Sequence, residues 1–92
     1  MLKYTLKAQT ILDRLIENLI KIGPQASESE KVNQFKVAVE SLNKLNDEIG
    51  DLIETGEREE LCELFDQIAE AAGFDSKKYG GGEGIADEWR NW

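Results

Sequence analysis

Residues 27–52 read SESEKVNQFKVAVESLNKLNDEIGDL, and this stretch decides the fold. Phe35, Ala38, Leu42, Leu45, Ile49 and Leu52 recur at alternating steps of three and four. That spacing makes one apolar stripe along a helix, in the pattern of the inner positions of a heptad. At about two and a half heptads the stripe is too short for a free-standing coiled coil. It predicts instead a helix lying at about 20° to its neighbours. Ser27 and Glu30 have capping-box spacing, in which side chain and backbone satisfy each other's orphan amides. The spacing therefore predicts a helix over 28–54. Gly50 is its weak point, costing about 1 kcal/mol against Ala and marking a place for a kink or an end.

Toward the N-terminus, Ala8, Ile11, Leu12, Leu15, Ile16, Leu19 and Ile20 form a second stripe, which predicts a helix over 2–22. Gly23 and Pro24 stop it, because Gly takes the left-handed position after the last turn and Pro cannot continue the helix. Toward the C-terminus, Leu61, Leu64, Phe65, Ile68 and Ala72 predict a third helix over 57–72. Glu57, Glu59 and Glu60 suit the positive end of its dipole. Gly73 suits its C-terminal cap, and Phe74 can supply the apolar contact of a Schellman motif. No β-branched run alternates with polar residues, so no strand is expected. The connections are short, so consecutive helices should be antiparallel neighbours. The expected fold is an all-α antiparallel three-helix bundle over residues 1–79. Residues 80–92 should form a Gly-rich loop and a short helical Trp tail, packed on the bundle or on a partner.

Charge narrows the partners. The chain carries 11 basic and 19 acidic side chains, a net charge of -8. Residues 1–22 hold four basic and two acidic groups, residues 23–56 three and seven, and residues 57–92 four and ten, so the first helix is the mildly positive element. Phosphate backbones and anionic membranes would repel such a chain, and a protein with a basic surface is the favoured partner. No stretch has the roughly 20 apolar residues that span a bilayer. Asp13, Arg14 and Glu17 interrupt any leader-like apolar run. With one free thiol, Cys62, the expected address is the cytoplasm.

The chain lacks histidine, which removes the commonest general base, the Ser-His and Cys-His pairs and the Glu-x-x-His ligands of di-iron bundles. The glycine run Gly80-Gly81-Gly82-Glu83-Gly84 has no preceding strand and no Gly-Lys-Ser/Thr ending, so it reads as a flexible linker and not as a phosphate cradle. An EF-hand loop begun at Asp75 would need oxygen ligands at Lys77 and Tyr79 and a Glu at Ala86. Asp47 and Asp51, four apart on one helix face, could gather with Glu57, Glu59, Glu60 and Glu63 into a looser cation site, the second function considered. Cys62 reads as a small core-like residue, its thiol pushed up by Glu59, Glu60 and Glu63 rather than activated. No catalytic residue and no cofactor is expected.

The C-terminal aromatics carry the sharper hypothesis. Ile85, Trp89 and Trp92 are spaced i, i+4, i+7 and in a helix share a face. Each Trp can bury about 150–250 Å². Either the glycine run swings the tail back onto the bundle, or Ile85, Trp89, Arg90 and Trp92 anchor a partner, since Trp and Arg dominate interaction hot spots. A second helix reaching about 40 Å would overhang its shorter neighbour, which makes a second copy of the chain another candidate partner. The function expected is a small acidic protein-interaction module of inhibitor, immunity or adaptor type. Toxin-neutralising immunity proteins and nucleic-acid-mimicking inhibitors share its size and charge, an analogy of class that no motif here carries.

Overall fold

Three amphipathic stripes become three helices. The structure is a computed structural model and describes residues 6–49, 53 and 55–92. Among the described residues it is an all-α bundle of three helices with no strand: α1 (Leu6–Ile22), α2 (Glu28–Ile49) and α3 (Thr55–Ala71). Residues 2–5 of the expected first helix, together with Gly50, Asp51, Leu52 and Glu54 of the expected second, lie outside the described residues. The second helix was expected to reach Glu54, but it has ended by Ile53. There the backbone N–H donates to the Asn46 side-chain oxygen at 3.0 Å and not to a helical carbonyl.

Local chemistry sets the helix ends. Gly23, at φ 83°, donates its N–H to the Leu19 carbonyl at 3.2 Å and closes α1. Ser27 Oγ accepts the Glu30 N–H at 3.1 Å and starts α2. Gly73 closes α3 at φ 96°. Its N–H reaches the Glu70 carbonyl at 3.0 Å and the Phe74 N–H reaches the Ala69 carbonyl at 3.2 Å, the paired bonds of a Schellman motif. Phe74 then turns inward and meets Phe35 edge-on, ring centroids 5.4 Å apart.

The helices run up, down and up. The N-terminal half of α2 meets the C-terminal half of α3 through Phe35 and Phe65, whose centroids lie 6.3 Å apart. Lys31, almost fully buried, ties this end together: Nζ donates to the Pro24 carbonyl at 2.9 Å and to the Ala72 carbonyl at 2.7 Å. A buried ammonium needs compensation, and carbonyls at helix C-termini carry partial negative charge. Lys31 therefore acts as a cap shared by the ends of α1 and α3.

The two remaining seams are not equivalent. α1 and α2 pack closely along their length, whereas α3 makes its closest backbone approach to the C-terminal segment. That segment also contacts α2, so the tail fills the seam between α2 and α3. The core consequently differs from the stripes in two places. Val39 on α2 and Ala69 on α3, outside both stripes, are fully buried. Ile16 and Ile20, which the stripe of the first helix assigns to the core, are 42% and 74% exposed.

The tail is not the helix that its spacing suggests. Residues 76–78, 80–82 and 85–88 are single 3-10 turns. The glycine run expected to be a flexible linker is a defined reversal, with Gly80, Gly81 and Gly82 at φ 62°, 65° and 93° and the Gly84 N–H bonded back to the Tyr79 carbonyl at 3.2 Å. The turn Ile85–Glu88 stops at Trp89 because Asn43 of α2 takes over the backbone. Asn43 Nδ2 donates to the Trp89 carbonyl at 2.8 Å, and Asn43 Oδ1 accepts the Asn91 N–H at 3.1 Å. Backbone groups engaged by a side chain cannot extend a helix, so Ile85, Trp89 and Trp92 do not share a helical face.

Gly84 is, with Gly80, one of the two tight points of the reversal. It sits at φ 132°, ψ 168°, a region essentially restricted to glycine, and a Cβ there would fall 2.6 Å from Asp66 Oδ1. Gly84→Ala should cost about 2–4 kcal/mol through backbone strain and overpacking. Gly81→Ala, at φ 65° with nothing within 4 Å of its Cβ, should cost only about 1–2 kcal/mol. Urea titrations of the two variants check the order, and equal losses would contradict this account of the turn.

Candidate interaction surface

The residues singled out in the tail separate into two pairs. Ile85 is 0% and Trp92 8% exposed, both inside the chain's own core. Trp89 and Arg90 are half-buried. Arg90 donates through Nε to Asp87 Oδ1 and through Nη1 to the Trp92 carbonyl. Its guanidinium carbon lies 5.5 Å from the centroid of the Trp92 ring. The Arg90 pKa is raised, first by the Asp87 hydrogen bond, with burial opposing. Trp92 Nε1 is buried without a hydrogen-bond partner, so this indole is held by packing and by the Arg90 guanidinium over its ring. The structure thus places the tail on its own bundle, with Trp89 and Arg90 facing outward in part.

Sequence reasoning missed the residues that hold the tail in place. Ser76, 2% exposed, stands between α3 and the tail. Its hydroxyl donates to Asp66 Oδ1 and accepts the Ile85 N–H at 2.8 Å. Glu88 accepts the Gly80 N–H at 2.8 Å, and the Tyr79 hydroxyl donates to Glu28 on α2. Ser76, Asp66 and Asn43 look in the sequence like ordinary surface polar residues, and no spacing distinguishes them.

The open surface lies elsewhere, at the seam between α1 and α3. Where their C-terminal ends run side by side, a groove of about 370 Å³ is lined by Ile16, Leu19, Ile20, Gly23 and Pro24 on one side and Ile68, Ala71 and Ala72 on the other. Among the described residues Lys31 is the one titratable group in that lining. Ile68 and Ala72 are half-buried and Ala71 is exposed. Exposed apolar side chains are ordinary when scattered, but contiguous ones across two helices mark a contact surface.

The acidic residues do not gather. Among the described residues no group of three or more Asp, Glu or Cys side chains comes close enough to hold a metal ion. Asp51, one half of the proposed pair with Asp47, lies outside the described residues. Cys62 is half-buried against the core. Its thiol is pushed up as the sequence suggests, but the leading cause is burial. Arg90 and Arg58 pull the thiol down, while Asp87 and Asp66, not the neighbouring glutamates, add to the rise.

Tyr79 is pushed up to about 12 from its ordinary 10.0, first by its hydrogen bond to Glu28. Both shifts are upward, so the folded chain keeps protons that the unfolded chain releases first. Their contribution is intact below the ordinary values and is lost as pH rises through the folded ones. The urea midpoint should therefore fall between about pH 9 and pH 12, and Tyr79→Phe should flatten the upper part of that fall. A midpoint that holds or rises over this range would contradict both assignments.

Among the described residues no helix is long and apolar enough to cross a membrane. The chain matches no protein-family model, no curated protein and no solved structure.

Proposed function

We propose that this chain is a small acidic protein-interaction module of inhibitor, immunity or adaptor type, without catalytic activity of its own. One observation carries the reading. Two large aliphatic side chains on α1, Ile16 and Ile20, are left out of the core beside Ile68 and Ala71 of α3, and together they form a continuous apolar groove. Such a surface is costly to leave in water and is suited to a protein partner. The lining also argues against chemistry in the groove, because its only titratable side chain among the described residues, Lys31, is already committed to two backbone carbonyls. Trp89, half-buried beside α2, and the half-buried Arg90 are a secondary contact.

Truncating the tail would not test this, because it removes core residues. The test is affinity capture from the native host with the intact chain and with the double variant Ile16→Gln/Ile20→Gln, both shown to be folded by circular dichroism. The intact chain should retain a stoichiometric partner that the variant loses, and the complex should re-form from purified components. Equal retention by both would take the function away from this groove. Retention of nothing by either would remove the interaction reading.

A further inference from the structure

We infer that the occupant of the groove between α1 and α3 is a basic amphipathic helix of a partner protein, lying as the fourth helix of the bundle; this rests on the interaction reading and specifies its ligand. The first argument is shape. Of the three seams, α1 and α2 close one directly and the tail fills another, so among the described residues only the seam flanked by Ile16, Ile20, Ile68 and Ala71 lacks an element. An apolar helix face laid between two helices is a standard mode of recognition, read as anchors at i, i+3, i+4 and i+7.

The second argument is charge. Asp13 and Glu17 are exposed and each stands three residues before an open isoleucine, Ile16 and Ile20, on the same side of α1. On α3 the exposed Glu60 stands one turn before Leu64 and two before Ile68. The rims of the groove are therefore acidic. Of the basic residues of α1, Lys7 and Arg14 lie beside α2, while Lys21, four residues after Glu17, borders the acidic rim at the end of the helix. Lys31 brings one positive charge to the lining, but its ammonium is buried and held by the Pro24 and Ala72 carbonyls, so it offsets only part of the three rim carboxylates. A helix with an apolar stripe flanked by Lys and Arg matches this surface in pattern and in sign. A second copy fits less well, because the apolar side chains on the basic face of α1, exposed Leu6 and half-buried Ile11, are five apart and do not form the i, i+3, i+4, i+7 stripe of an inserted helix.

The test uses the full chain and two synthetic peptides about 18 residues long, five helical turns. Both carry one Leu stripe, flanked by Lys in the first and by Glu in the second. Calorimetry should show the Lys peptide binding at least about tenfold tighter than the Glu peptide, with the difference shrinking as salt rises. Amide shifts should centre on residues 13–24 and 60–72. Ile16→Gln/Ile20→Gln should weaken binding roughly tenfold or more. Asp13→Asn/Glu17→Gln/Glu60→Gln should weaken the Lys peptide and leave the Glu peptide unchanged. Equal binding of the two peptides, shifts centred on the tail, or a preference for decanoate over either peptide would overturn the inference. So would sedimentation showing a dimer of the chain alone that the isoleucine variant dissociates. If a partner is captured through the groove yet neither peptide binds, the basic-helix inference fails and the interaction reading survives. If neither a partner nor a peptide is retained, both fail.

Discussion

A chain ending at Lys78 should lose its cooperative urea transition and its near-ultraviolet tryptophan signal while keeping part of its helical far-ultraviolet spectrum. The deletion removes Ile85, Ala86 and Trp92, which are 0%, 1% and 8% exposed, and it opens the seam between α2 and α3. Losing one large buried apolar side chain costs about 2–5 kcal/mol. Losing several at once reaches the whole stability of a domain this size, about 5–15 kcal/mol. The deletion also strands Ser76, whose hydroxyl loses the Ile85 N–H, and Asn43, whose amide loses both tail contacts. Trp92→Phe separates packing from polarity. Trp92 Nε1 has no partner, so the Phe variant forfeits no hydrogen bond and should cost well under the roughly 3–5 kcal/mol expected of Trp92→Ala. A truncated chain with an unchanged midpoint would show that the tail is not part of the core.

Phe35→Ala should be the most damaging single substitution, at about 3–5 kcal/mol. Phe35 is 0% exposed and stands where α2, α3 and the Phe74 cap converge. Its ring meets Phe65 at 6.3 Å in a tilted pair and Phe74 at 5.4 Å edge-on, and Phe74 in turn meets Tyr79 edge-on at 5.9 Å. The cavity would therefore loosen the helix pair and the first anchor of the tail together. Phe35→Leu keeps most of the volume and should cost clearly less. Urea unfolding followed by circular dichroism measures both. A loss below about 1 kcal/mol for the alanine variant would mean that the aromatic cluster does not hold these elements together.

The local punctuation of the chain was legible in its residues. Gly23, Ser27 with Glu30, and Gly73 with Phe74 act through bonds to groups a few positions away, so their spacing alone specifies where α1 ends, α2 begins and α3 ends. The stripes of α1 and α2 were equally legible, because burial on one face imposes a helical period on any partner. Which neighbour each face meets was less so. A stripe records that Ile16 and Ile20 are apolar, not whether a second helix comes near enough to cover them. Periodicity therefore assigned to the core the two residues that now form the candidate groove. The reverse error fell on Val39 and Ala69, which lie outside the stripes and are fully buried.

The tail shows the same limit in its backbone. The i, i+4, i+7 spacing of Ile85, Trp89 and Trp92 is that of a helix face. A segment this short cannot sustain a helix on its own hydrogen bonds, since nucleation is unfavourable and few turns follow it. Its conformation passed to whatever could bind its backbone, and Asn43 and Ser76 do so from 46 and 9 residues away. Sequence by itself determined the three helices, the ends near Ile22, Glu28 and Ala71, and their amphipathic character, because each depends on interactions within a few residues. Only the tertiary structure decided that the C-terminal segment fills one seam and leaves another open, because that choice rests on contacts between residues whose separation along the chain carries no periodic signal.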